Sequence, residues 1–332
     1  LERKTAEHPC FTCGGGRYAR MHLPIAPKCS IQCNYCLRKY DCPNESRPGV
    51  TTEILTPEAA LEKYKQVRAA MPNLKVVGIA GPGDSLANFA ETERTLSLIR
   101  AFDAEVTFCL STNGLMLPLY AQRLIELGVT HVTITINAVE PAIGAKIYAY
   151  VDYMGKRYTG EAGAGILLGN QLSGLQYLTA HGVICKVNIV MLKDVNDHHI
   201  ETVVQKVKQL GAKVTNIMQM IPVKGSAFEK MPLVSQKEIM AMRTHCGVYL
   251  EQMMHCRQCR ADAIGTLGND VSIEYRSCGR SETKQGIWQR VAVATKSGML
   301  VDQHFGQASE FYIYESDGEK ARFLERRSVA KY

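Results

Sequence analysis

The chain has no apolar run long enough to span a bilayer. Its longest stretches, such as Val183–Leu192, are broken by Lys186 and Asn188. No charged-then-apolar leader with a small-residue cleavage site opens it. Both absences argue against a membrane or secreted protein, and the expectation is a soluble, cytoplasmic one. The first residue is Leu1 rather than Met, as in a trimmed chain. No basic face with interleaved aromatics stands out, and the net charge of +7 is scattered among acidic neighbours. That argues against a nucleic-acid partner. No internal repeat is obvious. With 46% hydrophobic and 21% charged residues the composition is ordinary globular, not disordered. At 332 residues the chain suffices for one barrel-sized domain and a small appendage.

What the chain does have is cysteine, twelve of them. In a cytosolic chain of this size they bind metal or do chemistry more often than they form disulfides. Three stand in Cys29-Ser-Ile-Gln-Cys33-Asn-Tyr-Cys36, a C-x3-C-x2-C spacing with no fourth cysteine close behind. Three thiolates can hold three irons of a cubane and leave the fourth open to a small molecule. A structural zinc site would want four protein ligands. With Tyr35 ahead of the last cysteine, the loop resembles the C-x3-C-x-aromatic-C loop of the radical S-adenosylmethionine (SAM) superfamily. A redox or structural thiol cluster is the alternative.

After this loop the chain alternates. Strands are expected at Met21–Pro27, Lys75–Ala80, Val106–Leu110, His131–Asn137, Val183–Met191 and Val214–Met220. Helices are expected at about Thr56–Ala70, Glu91–Phe102, Leu117–Leu127, Ala164–His181, Ile200–Leu210 and Ser235–His245. Alternation of this kind predicts βαβ units and a parallel sheet. The expected fold is α/β: a partial parallel (βα)6 radical SAM barrel, with N- and C-terminal extensions carrying auxiliary cluster ligands. Polar clusters end the strands: the cysteine loop, Gly81-Pro82-Gly83-Asp84, Cys109 with Ser111–Gly114, Asn137, Asn188 and Lys224-Gly225. In βα barrels that end carries the active site. Near residue 286 short alternating strands at Arg290–Thr295 and Phe311–Glu315 begin a second domain, so the division expected is 1–285 and 286–332. The second part is short for an independent core, which suggests truncation or support from the barrel.

Cys246, Cys256 and Cys259 form a C-x9-C-x2-C group, with a Cys3His zinc site open as an alternative if His245 or His255 joins. Cys10, Cys42 and Cys109 are far apart in sequence, but Cys42 lies just past the motif and Cys109 at a strand end. They are candidate neighbours of a further cluster, although Cys109 alone would read as a small buried hydrophobe. Cys13, Cys185 and Cys278 are unassigned, and His198 and His199 read as ordinary histidines.

Longer runs carry a closer resemblance. They are His8-Pro9-Cys10, Ala19-Arg20-Met21-His22, Cys29–Gly49, Cys109–Gly114 and Cys256-Arg257-Gln258-Cys259-Arg260-Ala261-Asp262. Together they resemble the NifB family of nitrogenase cofactor maturases. The tail, with Val291–Thr295 and His304-Phe305-Gly306, resembles the start of a NifX-type cofactor-binding domain. Cys13 and the glycines after it depart from the pattern.

The resemblance implies three [4Fe-4S] clusters, one binding SAM and two auxiliary ones that are the substrates. One auxiliary cluster would have a nitrogen ligand, His22 with Cys10, Cys42 and Cys109, His8 being the alternative; the other would use Cys246, Cys256 and Cys259. Seven residues of extended chain, roughly 23 Å, separate His22 from Cys29, which places such a cluster lower in the barrel than SAM. SAM would be held by Gly81, Gly83, Asp84, Thr112, Asn113, Thr135, Asn137, Asn188 and Ile189, with β propensity the competing reason for the threonines. Glu45 and Arg47 would serve catalysis at the mouth, against the plainer reading of a surface ion pair.

The implied reaction is methylation of a cluster sulfide, radical hydrogen removal and fusion into an eight-iron carbide cluster, in a lyase-type enzyme. Implied partners are Fe–S cluster donors, downstream cofactor carriers or scaffolds, and an electron donor. The rivals are a radical SAM enzyme acting on an organic or peptide substrate, and a non-catalytic Fe–S carrier.

Overall fold

Pro24 and Pro27 lack the N–H groups that a sheet interior needs, and the first strand stops short of them. The computed structural model describes residues 1–11, 16–44, 51, 53–256, 259–275, 289–294, 308, 310–316 and 321–328. Cys13, Glu45, Arg47, Cys278 and the expected His304-Phe305-Gly306 lie outside the described residues. The chain begins with helix α1 (Glu2–Ala6) and strand β1 (Ala19–His22). Thus β1 sits earlier than the expected Met21–Pro27. Residues 23–28 instead run on as an extended lead with one bridge, Ala26 to Pro82.

The elements that follow are β2 (Ile31–Cys33), α2 (Pro57–Ala70), β3 (Leu74–Ile79), α3 (Phe89–Phe102), β4 (Thr107–Thr112), α4 (Leu117–Glu126) and β5 (Val129–Thr135). Next come α5 (Pro141–Ile147), β6 (Tyr148–Tyr153), β7 (Lys156–Tyr158), α6 (Gly160–Ala180), β8 (Ile184–Met191), α7 (Ile200–Gln209), β9 (Val214–Gln219) and α8 (Gln236–Cys246). The first unit ends with β10 (Ile264–Thr266) and β11 (Asn269–Asp270). Local chemistry sets the helix starts. The Thr56 hydroxyl accepts from Ala59 N ahead of α2, with Pro57 at its first position, and Ser235 and Glu238 form a reciprocal capping box on α8.

One sheet runs β11-β10-β1-β3-β4-β5-β8-β9. From β1 to β9 its six strands are parallel and follow chain order, with helices in the crossovers. The sheet ends at β9 on one side and at antiparallel β10 and β11 on the other. It is a barrel left open.

Its two faces follow the two-residue alternation of each strand. Val77, Ile79, Phe108, Leu110, Val132, Ile134, Val187, Ile189 and Ile217 point to the helices in the apolar core. Each stabilises the fold by about 1.5–3 kcal/mol on burial. The alternate positions, Arg20, His22, Val76, Cys109, Ser111, Thr133, Lys186, Asn188, Asn216 and Met218, line an interior cavity.

A small sheet not anticipated from the sequence, β2-β6-β7, pins the cysteine loop. Ile31–Cys33 pairs antiparallel with β6, and the β6–β7 hairpin turns through Met154 and Gly155, both at positive φ. Among the described residues no helix is long and apolar enough to cross a membrane.

The chain divides into two compact units, Leu1–Gly279 and Arg280–Tyr332. The second contains β12 (Gln289–Val293), β13 (Glu310–Ser316) and β14 (Ala321–Ser328), an antiparallel sheet in that order. All eight residues of β14 are exposed.

Candidate active site

The Cys29–Cys36 loop lies at the C-terminal mouth of the sheet, where its three thiols share a pocket with Arg38, Cys42, Asn44, Gly83, Asp84 and Asn113. Each thiol has one side-chain N–H donor. Asn113 Nδ2 reaches Cys29 Sγ at 3.7 Å, Asn44 Nδ2 reaches Cys33 Sγ at 3.8 Å and Arg38 Nη1 reaches Cys36 Sγ at 3.7 Å. Burial, with the Asp84 charge behind it, pushes the Cys29 thiol up to about 12. Burial and the neighbouring thiols Cys36 and Cys29 push Cys33 up as well, and burial raises Cys36. The thiols therefore keep their protons at neutral pH until a metal displaces them.

Tyr35, the aromatic of the motif, is fully buried. Its hydroxyl donates to Asn44 Oδ1 at 2.6 Å and accepts from Asn137 Nδ2 at 2.7 Å. Asn137 Oδ1 also accepts from Val190 N, so this side chain ties the loop to β8. Asp84 is engaged by four donors. Leu86 N and Ala87 N bond its Oδ1, and Thr112 Oγ1 and Asn113 N bond its Oδ2. Burial pushes its pKa up while these donors pull the other way. Its visible task is to hold Thr112 and Asn113. Gly83 allows the close passage this needs, because an added Cβ would lie 2.2 Å from Lys28 O.

Below the mouth lies a cavity lined by Cys10, His22, Cys109, Cys256, Cys259 and His8. Both chain extensions are folded onto it. His22 N donates to Ala263 O, β10 pairs with β1, and His255 Nε2 lies 3.1 Å from Pro9 O. Strand register aligns His22 with Gly78 and Gly78 with Cys109. An added Cβ at Gly78 would meet the His22 ring at 3.0 Å, so glycine keeps open the space between these two donors. Burial raises the Cys10 pKa most; the nearby Lys186 and Arg20 pull it down, and Cys259 and Cys256 push it up.

The two histidines differ. His22 Nδ1 lies 3.0 Å from the carbonyl of Arg260, an acceptor only, so Nδ1 carries the proton and Nε2 keeps its lone pair. Burial, then Arg20, lowers its pKa to about 4. His8 Nδ1 instead accepts the Cys10 N–H at 3.1 Å, which leaves the proton on Nε2. Burial lowers its pKa too.

The remaining candidates are placed as follows. Cys42 lines the motif pocket rather than the cavity, and Asn44 lines both. Cys246 stands in α8, buried in the apolar core with Met242 Sδ 3.8 Å away, apart from Cys256 and Cys259. His245 is bound to Glu201 at 2.6 Å, so the Cys3His set is not assembled through it. Among the described residues no three His, Cys, Asp or Glu side chains close around a single ion. Thr135 is buried beside Asn137, Asn188 reaches Asn44 O at 2.8 Å, and the Ile189 side chain belongs to the core. Sequence reasoning missed Arg20, Lys186 and Asn216 on the cavity wall. The signal was present in their two-residue spacing from His22, Asn188 and Met218.

Comparison with known proteins agrees with this arrangement. The Radical SAM superfamily profile matches residues 23–207, and the dinitrogenase iron-molybdenum cofactor profile matches residues 288–331. The FeMo cofactor biosynthesis protein NifB of Klebsiella pneumoniae is 44% identical over 99% of this chain and 76% of its own length. That of Chlorobaculum tepidum is 43% identical over 94% of this chain and 75% of its own, and that of Azotobacter vinelandii 39% over 100% and 76%. Streptococcus suis SuiB bound to S-adenosylmethionine superposes with a TM-score of 0.50 at 13% identity, covering 71% of this chain and 50% of SuiB. It speaks for the fold alone. The superfamily implies one [4Fe-4S] cluster and SAM, and three thiols with one N–H donor apiece are a fitting donor set for that cluster. The chain thus belongs to the radical SAM superfamily and, within it, to the NifB family of FeMo cofactor biosynthesis proteins.

Proposed function

We propose that the chain takes two auxiliary [4Fe-4S] clusters as substrates, methylates one and fuses the pair into the eight-iron, carbide-containing precursor of the nitrogenase cofactor. The observation that carries this reading is the shared wall. A cavity lined by Cys10, His22, Cys109, Cys256 and Cys259 adjoins the Cys29, Cys33 and Cys36 pocket, with Asn44 lining both. Sulfur and imidazole donors of that kind suit a metal–sulfur substrate better than an organic or peptide one.

When bound, the motif cluster and SAM supply the methyl group and the one-electron chemistry. The rest falls to the chain. Asn113, Asn44 and Arg38 offset the charge of the three thiolates, and Asp84 keeps Asn113 in place. His22 offers Nε2 to one substrate cluster beside Cys109. Cys10, expected from the sequence in the His22 set, is brought by the His255–Pro9 contact to Cys256 and Cys259 and is assigned with them to the other. Few protein bonds per cluster allow the product to leave, and a neutral imidazole is easier to release than a thiolate. Glu45 and Arg47 follow Asn44 in sequence and are assigned proton transfer and anion orientation. Residues 1–285 carry the chemistry and 286–332 form the cofactor-binding part. Fe–S cluster donors, an electron donor and a cofactor carrier are its partners in the cytoplasm, and the reaction is lyase-type.

Anaerobic reconstitution with dithionite and SAM tests this. The expected result is 5′-deoxyadenosine, S-adenosylhomocysteine and a new cluster signal together, from protein holding about twelve irons per chain. About four irons per chain would reject the reading.

A further inference from the structure

The cavity wall has an unbalanced charge. Among the described residues that line it are two cationic side chains, Arg20 and Lys186, and no aspartate or glutamate. Both are nearly inaccessible, Arg20 at 2% and Lys186 at 7% exposure. The Arg20 guanidinium is held by two backbone carbonyls of the C-terminal extension, with Nη1 donating to Gly265 O and to Thr266 O. Its Nη2 is thereby aimed at Cys259 Sγ, 3.0 Å away. Its Nε is buried without a hydrogen-bond partner. Lys186 enters from β8, its Nζ over the Phe11 ring and 4.0 Å from Met253 Sδ. Arginine stays protonated in proteins and is the cation most suited to buried pairing. A buried guanidinium held by carbonyls and a sulfur is stabilised best once an anion completes its surroundings.

We infer that Arg20 is a positioning residue for cluster cargo: its guanidinium fixes the Cys259 sulfur toward the cavity and, with Lys186, makes that cavity a receptor for anionic metal–sulfur clusters. The inference rests on the proposal that the cavity holds clusters. It adds how one ligand's sulfur is positioned and why cargo of negative charge is retained. N–H···S bonds and local positive charge also set a cluster's reduction potential. Arg20 therefore tunes the cluster at Cys259 as well as holding it, and loss of the contact lowers that potential.

The test uses anaerobically purified protein reconstituted with ferrous iron and sulfide, as wild type, Arg20→Met, Arg20→Lys and Lys186→Met. Iron and labile sulfide per chain and an EPR-monitored redox titration are the readouts. Wild type is expected to hold about twelve irons and Arg20→Met about eight, one cubane fewer. Arg20→Lys, which keeps the charge but not the fork, is expected to load fully with one cluster shifted to a more negative potential. Lys186→Met, which leaves the Cys259 contact intact, is expected to bind the same cargo more weakly and to lose iron faster on gel filtration. Wild type with about four irons would overturn the cavity reading itself. A fully loaded wild type, with Arg20→Met and Lys186→Met loading equally and potentials unmoved in Arg20→Lys, would overturn this inference alone.

Discussion

The Oδ2 atom of Asp84 accepts the backbone N–H of Asn113 at 2.6 Å, and the side chain of Asn113 goes on to donate to Cys29 Sγ at 3.7 Å. A carboxylate at the end of β3 thus controls a sulfur of the cysteine loop through the end of β4. Asp84→Asn keeps the shape and replaces one acceptor by an NH2 group facing backbone N–H donors. The expected cost is about 1–3 kcal/mol in unfolding free energy. Yield of 5′-deoxyadenosine should fall with it, because Asn113 loses its anchor. An unchanged urea midpoint together with unchanged SAM cleavage would contradict this role.

The tautomers of the two cavity histidines give a sharper choice. With Nδ1 protonated against Arg260 O, His22 presents Nε2, whereas the Cys10 N–H already occupies Nδ1 of His8. Pulsed EPR of the reduced, loaded protein should show nitrogen coupling to one auxiliary cluster. His22→Gln should abolish it and lower the iron content. His8→Gln should leave the coupling in place. Coupling that vanishes only in the His8 variant would reverse the assignment.

Cysteine substitutions should separate by position rather than by motif. Cys246 and Cys185 are buried in the apolar core, while Cys256 lies on the cavity wall with its sulfur 3.4 Å from Asn216 Nδ2. Cys256→Ala should lose about four irons per chain. Cys246→Ala and Cys185→Ala should keep the full complement and lose about 1 kcal/mol of stability from the small cavities left. Iron analysis beside thermal melts decides it, and iron loss in Cys246→Ala would return that residue to the ligand set.

Cys246 also marks where the sequence stopped being readable. The six βα repeats were legible because strand and helix periods differ and capping residues such as Thr56 and Ser235 announce the helices. The inner face was legible in part from the Thr133, Thr135 and Asn137 alternation. Cysteine partition was not, because it depends on contacts across the whole chain. His255 reaches Pro9 and Arg260 reaches His22, which brings Cys10 to Cys256 and Cys259 and leaves Cys246 behind on its helix. The buried cations escaped notice for a related reason. Lys186 looks in sequence like an interruption of an apolar run, and only the folded sheet shows that it lines the cavity.

The floor of the barrel makes a pH prediction. His131 on β5 is fully buried between Thr5 Oγ1 at 3.0 Å and Thr130 Oγ1 at 2.9 Å, and packs against His8 and Phe11. Burial first, then the charges of Lys4 and Lys186, lower its pKa from 6.5 to about 4. The folded-state pKa lies below the unfolded one, so between these two values the unfolded chain binds a proton that the folded chain refuses. Stability is then complete above pH 6.5, declines as pH falls toward 4 and levels off below it, by on the order of 3 kcal/mol at most for this residue. His22, also lowered to about 4, adds a decline over the same window. His131→Gln keeps both hydrogen-bonding edges and removes the titration. Urea unfolding of the metal-free protein at pH 7 and pH 5, wild type against His131→Gln, should show a smaller acid loss in the variant. Equal losses would mean that the histidine takes up its proton in the folded barrel as readily as in the unfolded chain.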